Sequence, residues 1–289
     1  MNIRRYKPSD RDAVIRLAAR MNSKGETHIA YFDGSEETMV AYLDGLSPSP
    51  EEGFVVAYAG DTLIGCFGLE YDDEQNRTWL HGPVVDSPAW HTIADALYEA
   101  ALAILPARID DLELAFDLRH YRGIDFARRH GFEGWKAGSA VLVYTREQFA
   151  RITPRPCEGL QDAHHAAFME LHDLAFPNTY YTGKQMLDMR DDTYALLAET
   201  RDGSFAGSAF VEMQSPETGF IHFLATVPTL RGKGVGKALL EQAVHWVFAH
   251  TEAKDLALTV EVGNPTAIRL YERTGFVRER VIRGYRLQR

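Results

Sequence analysis

Cysteine is scarce: Cys66 and Cys157 lie far apart in 289 residues and form no metal-type pair. That excludes a zinc ribbon or a disulfide-stapled scaffold, and both thiols are expected to be reduced. No apolar stretch is long enough for a signal peptide or a membrane span, so a cytoplasmic protein without a membrane partner is expected. Positive charge is in deficit, with 31 Lys and Arg against 41 Asp and Glu and a net charge of −10. The balance argues against nucleic acid as a partner and suits a cationic acceptor such as an amine. His165 and His172 fall on one helical face, but no third ligand stands at metal-site spacing, and no metal is expected.

What is present is an ordinary apolar fraction, 45%, in a chain long enough for about two domains. The second half is the more legible. "TYALLAET" (193–200) and "FAGSAFVEM" (205–213) are strand-like runs joined by the hairpin signal "RDGS". "QSPETG" turns the chain into "FIHFLATV" (220–227). The stretch "RGKGVGKALLEQAVHWVF" (231–248) then opens a helix whose apolar residues recur at helical spacing. "LALTVEV" (256–262) is a further strand. "NPTAIRLYERTGF" is a punctuated helix, with Asn264 to cap it, Pro265 at its first position and Gly275 to end it.

The first half repeats that order: a hairpin over 54–69 around Gly60-Asp61, the strand "RTWLHGPVV", a helix over about 92–105, the strand 112–118 and a helix ending at Gly131-Phe132. An internal duplication is expected, of α+β or mixed α/β class, with domains 1–150 and 151–289 and the border within "TREQFARITPRPCEG" (145–159).

Glycines at the mouth of a helix expose amides to an anion. Two familiar phosphate loops fail on spacing. A nucleotide P-loop would need Gly at Arg231 and a hydroxyl at Ala238; the dinucleotide fingerprint would need Gly at Lys237 or Leu239. What fits is Arg-Gly-x-Gly-x-Gly after a strand and a proline, "ATVPTLRGKGVGKALL", followed by "VEVGNPTAIRLYERTGF". Together these resemble the acetyl-CoA-binding motifs of the GNAT superfamily of N-acetyltransferases, strongly over 193–276.

The resemblance implies two tandem GNAT-like domains, each a mostly antiparallel twisted sheet flanked by helices with a splayed central strand pair. It implies acetyl-CoA as co-substrate and no metal. The amides of Arg231, Gly232, Lys233, Gly234, Val235, Gly236 and Lys237 would then grip the pyrophosphate, with charge from Arg231, Lys233 and Lys237. Leu224, Ala225 and Thr226 would lie along the pantetheine arm. Tyr271 falls where the family commonly places a tyrosine that protonates the departing thiolate; a half-buried packing aromatic is the alternative. Asn264 would cap its helix, contact the cofactor, or do both.

The glutamate that some relatives carry early on the fourth strand is replaced by Phe220. His222 is the candidate base, against an ordinary packed strand histidine, with Glu212 and Glu261 as weaker candidates. Phe176, Tyr180 and Tyr181 form a candidate aromatic wall on the acceptor side, or else close a core.

Aligning Gly131-Phe132 with Gly275-Phe276 puts Ala127 at the place of Tyr271 and His120 at that of Asn264. The glycine stretch becomes "DSPAWHT", without glycine and bearing Pro88 and Trp90. The first half is therefore expected to keep the fold and to have lost catalysis. The reading is direct acetyl transfer to a small-molecule or peptide amine by the second half, in a monomer or homodimer. Its rivals are a non-catalytic acyl-CoA sensor and an enzyme like the mycothiol synthases, whose tandem layout is similar.

Overall fold

The computed structural model describes all residues except 33, 75, 150–158, 178, 190 and 191. Cys157 and most of the expected linker lie outside the described residues; Cys66 is a buried free thiol. The chain divides into two compact units, Met1–Gly138 with Arg280–Arg289, and Ser139–Glu279. The fold is mixed α/β, with mostly antiparallel sheets. No helix of the described residues is long and apolar enough to cross a membrane.

The first unit runs β1 (Asn2–Arg5), α1 (Arg11–Asn22), α2 (Glu36–Gly45), α3 (Pro50–Gly53), β2 (Phe54–Ala59), β3 (Thr62–Asp72), β4 (Arg77–Val85), α4 (Trp90–Leu102), β5 (Asp111–Asp117) and α5 (Tyr121–Arg129). Its strands stand side by side in chain order. β4 and β5 are parallel, and the other pairs among β1 to β5 are antiparallel.

The second unit contains α6 (Arg146–Phe149), α7 (His165–Ala175), α8 (Gly183–Asp188), β7 (Tyr194–Arg201), β8 (Ser204–Ser215), β9 (Thr218–Thr226), α9 (Val235–His250), β10 (Asp255–Glu261) and α10 (Pro265–Thr274). The turn between β7 and β8 is the Asp202-Gly203 pair, both with positive φ, as the right-handed twist of a tight hairpin demands. Alternation then sorts the two faces of β8. Gly207 lies under Val235 and Leu239 of α9. Phe210 joins Phe168 and Leu171 of α7 in the cluster on the opposite face.

The units are not cut where composition suggests. β6 (Glu133–Thr145) runs from the first unit into the second, where Ser139–Thr145 pairs antiparallel with β10. β11 (Val277–Gln288) does the converse: Ile282–Gln288 pairs antiparallel with β5. Each unit thus closes its sheet with a strand that follows the other border in sequence. The compact units change at Gly138 rather than at residue 150, because backbone pairing, not the proline-bearing stretch, decides membership.

Candidate active site

In the second unit β9 and β10 pair only from Asp255↔Thr218 to Leu258↔Ile221. Beyond that rung the strands part, and a cleft of about 490 Å³ opens between them. Its walls include Phe176, His222, Leu224, Thr259, Glu261, Asn264 and Tyr271. The unpaired edge of β9 past Ile221 leaves backbone donors and acceptors for an extended polar guest. Leu224 lines the cleft, whereas Ala225 is buried in the core cluster behind it. Thr226 pairs with Gly207 of β8 and does not line it.

Beside this splay begins α9. Gly232 and Gly234 hold φ of +75° and +85°, and a Cβ at either would meet nothing, so conformation alone calls for glycine there. The amides of Arg231 and Lys233 donate into their own turn, to Pro228 O and Leu230 O, each at 3.3 Å. The first bond of the helix runs from Ala238 N to Gly234 O, 3.0 Å. Val235, Gly236 and Lys237 therefore keep the amides that any first helical turn leaves without a helical partner. Arg231, Lys233 and Lys237 are exposed around them. Lys237 reaches Glu241 at 3.6 Å, a surface pair that constrains it little.

Across the cleft, Asn264 Oδ1 accepts from Ala267 N at 3.1 Å and so caps α10. That helix carries Tyr271 into the cleft wall, one turn before the left-handed Gly275. Burial pushes the Tyr271 phenol up to about 12, so it holds its proton throughout the neutral range.

His222 is engaged at both ring nitrogens. Nε2 lies 2.6 Å from Glu212 Oε2, and Nδ1 lies 2.7 Å from Tyr180 Oη. Glu212 also hydrogen-bonds the Tyr194 hydroxyl, whose pKa burial and that bond raise to about 12. Glu212 stands on the neighbouring strand as the register partner of Phe220. The cross-strand position was readable, since a tight turn joins the two strands. The approach of Tyr180 was not, because it comes from a loop. Tyr180 packs on Tyr181 and Phe223 with centroids 4.9 and 5.1 Å away, and Phe176 packs on Phe223 at 5.0 Å. Phe176 and Tyr181 also pack against the core cluster under α7, and of the three Phe176 lines the cleft. Tyr180 itself is 61% exposed. His165 and His172 serve other ends: His165 Nε2 lies 3.3 Å from Asp162 and His172 Nε2 bonds Tyr181 O at 2.8 Å.

The first unit has the same splay in another state. β4 and β5 pair only from Arg77↔Asp111 to Trp79↔Glu113. Past that rung a segment of the α1–α2 connection pairs with β5 instead. Ala30 N donates to Ala115 O at 3.0 Å and Asp117 N donates to His28 O at 3.1 Å, around an Ile29–Phe116 bridge. Ile29 is fully buried. Buried Asn22 fastens the segment, accepting from Ile29 N at 2.7 Å and donating to Ile29 O at 3.0 Å and to Phe32 O. At the start of α4, where α9 offers glycines, the Trp90 ring is buried against His120 and Phe126. His120 does take the place of Asn264, accepting from Gly123 N at 3.1 Å to cap α5. Ala127 offers no phenol.

Among the described residues no group of His, Cys, Asp and Glu is arranged to hold a metal ion. A family model of the acetyltransferase (GNAT) family matches the chain twice, over residues 19–132 and 159–276. Mycothiol acetyltransferase of Acidimicrobium ferrooxidans is 36% identical over 86 residues, which are 28% of this chain and 27% of that protein. N-alpha-acetyltransferase 30 of Xenopus laevis is 26% identical over 117 residues, 40% of this chain and 42% of that one. The matched stretches therefore span less than half of these curated relatives. In fold the chain is similar to a GCN5-related N-acetyltransferase from Sphaerobacter thermophilus, with a TM-score of 0.69 and 17% identity over 99% of this chain and 95% of that one. It is also similar to a tandem GNAT protein from the clavulanic acid biosynthesis pathway, with a TM-score of 0.64 and 14% identity over 99% and 98%.

Proposed function

Because the chain belongs to the acetyltransferase (GNAT) family, we propose that its second unit transfers acetyl directly from acetyl-CoA to the amine of a small molecule or peptide. One observation carries the reading. The β9–β10 splay stands open beside a glycine-bearing helix start, while the equivalent splay of the first unit is filled by His28–Ala30. The fit is chemical as well as spatial. Amides and cations at the start of α9 face the pyrophosphate. The free edge of β9 from His222 to Thr226 pairs with the amides of the pantetheine arm.

Acetyl transfer needs a neutral amine, a polarised carbonyl and a proton for the departing thiolate. A backbone amide on the β9 edge polarises the carbonyl. Tyr271, protonated and in the cleft wall, delivers the thiolate's proton. His222 is the ultimate base, with Glu212 holding its ring. The net charge of −10 and the nearby Glu212 and Glu261 suit an acceptor that arrives as a cation. The mycothiol reading stays second: the sequence similarity favours it, but no residue of the cleft singles out a thiol-sugar.

Calorimetric titration of acetyl-CoA into the full chain, followed by thiol release with primary amines, tests the proposal. One site and amine-dependent thiol release are expected. No binding would overturn it, and binding without transfer to any amine would favour a sensor.

A further inference from the structure

A base must present an atom to the group it deprotonates. His222 presents none, because Glu212 takes Nε2 and Tyr180 takes Nδ1. An ionised carboxylate only accepts, so Nε2 carries the ring proton and Nδ1 is the acceptor for the Tyr180 hydroxyl. What remains open is the second lone pair of Tyr180 Oη. We propose that Tyr180, His222 and Glu212 form a proton relay in which Tyr180, not His222, is the catalytic residue that meets the acceptor amine.

The proposal rests on the acetyltransferase reading and adds to it the group that touches the acceptor. The acceptor first sheds its ammonium proton to solvent and attacks as the neutral amine; as the N–C bond forms, a proton passes from its nitrogen to Tyr180 Oη and the Tyr180 proton passes to His222 Nδ1. Glu212 steadies the resulting imidazolium. The C–S bond breaks, and the thiolate takes its proton from Tyr271. Products are the amide and free thiol; the imidazolium then returns its proton to solvent, and Tyr271 regains one. No oxidant or metal enters the balance. Glu212 is a positioning residue, and Tyr194 holds it in turn. Partial burial, then Tyr181 and Glu212, raise the Tyr180 pKa to about 12, so the phenol passes its proton on rather than losing it to solvent.

A second observation supports the relay. In the first unit His81 Nε2 lies 3.0 Å from Glu70 Oε2, and Tyr42 bonds its Nδ1. The same three residue types, joined through the same ring atoms, thus occur in both halves of a duplicated chain. Packing alone does not require a tyrosine and a glutamate on opposite nitrogens of one imidazole.

The charged and titratable groups around His222 are Glu212 on β8, Tyr194 on β7, Tyr180 and Tyr181 on the loop, Glu261 on β10 and Tyr271 on α10. The test uses the ¹⁵N-labelled full chain as native, Tyr180→Phe and Glu212→Gln proteins. Imidazole nitrogens are followed from pH 5 to 9, acetyl-CoA affinity by calorimetry, and thiol release with tyramine and spermidine. The native ring is expected as the Nε2–H tautomer. Tyr180→Phe should lower kcat about 100-fold, with acetyl-CoA affinity unchanged. Glu212→Gln should lower kcat about 10-fold with KM and acetyl-CoA affinity unchanged. An Nδ1–H tautomer in the native chain overturns the relay; so do variants that bind acetyl-CoA and keep native kcat. A native chain that binds no acetyl-CoA, or transfers to neither amine, overturns the acetyltransferase reading and the relay's catalytic role. The tautomer, read in the same samples, still reports whether the three side chains are joined as described.

Discussion

His81 occupies in β4 the place that His222 occupies in β9, and each bonds a glutamate of the preceding strand through Nε2. Their surroundings differ. Burial lowers the pKa of His81 despite Glu70, while His222 lines an open cleft. The His81 ring is covered by Tyr31 and Phe32, which follow the segment laid along β5, whereas the His222 ring faces the cleft.

Tyr271→Phe removes the proton donor and little else, since the ring still packs on Phe276 at 6.2 Å. Steady-state assays should show kcat down by about 10²-fold, with acetyl-CoA affinity within twofold of native. Unchanged kcat would remove Tyr271 from the mechanism.

Gly234→Ala tests the anion site through backbone alone, because a Cβ there meets no atom. An L-residue at φ +85° costs about 1–2 kcal/mol. If the left-handed turn aims the amides, calorimetry should show acetyl-CoA binding about tenfold weaker, with the thermal midpoint lower by only a few degrees. Gly232→Ala should behave alike, and undiminished affinity in both would relocate the pyrophosphate.

Asn22→Ala releases the segment that fills the first unit. It strips partners from buried backbone groups of Ile29 and Phe32, at about 3 kcal/mol in total. Scanning calorimetry should place the first-unit transition roughly 6–12 °C lower. Acetyl-CoA stoichiometry should stay at one, since Trp90 still occupies the helix start; a second site would mean that the segment alone closes that splay.

Asp10 sets an acid limit on the first unit. Hydrogen bonds from Arg4, with help from Tyr58 and the Lys7 amide, outweigh its burial and lower its pKa to about 2. A depressed folded pKa adds stability that is complete above the unfolded value near 3.9 and is lost as pH falls through 2. The pair should contribute about 2 kcal/mol at neutral pH. In acid titrations Asp10→Asn should be less stable than native at pH 6, and the two should converge near pH 2.

The residues that punctuate the backbone were the most legible. Asp202-Gly203, Asn264, Pro265 and Gly275 specify local geometry by themselves, so the hairpin and the capped helix stand where their sequences put them. Relations between distant segments were not legible. That Ile29 would lie along β5, or that Tyr180 would reach His222, depends on where loops land after the sheet forms, and no periodicity encodes it. Glu212 sits between these cases: its strand and face could be read, but the bond to His222 needed the register, which shifts between Phe210 and Val211. The exchange of strands at the unit boundaries was not legible for the same reason: it depends on which backbone Ser139–Thr145 and Ile282–Gln288 pair with.

The exchanged strands also set a schedule. When a ribosome has passed Gly138, every residue of the first unit exists except the strand that covers β5, and that strand, Ile282–Gln288, is still some 140 codons away. The earlier-made unit must wait with an exposed β edge until the later one has been synthesised, a hazard for any nascent sheet. A stop codon before Arg280 would therefore injure the half of the protein encoded first.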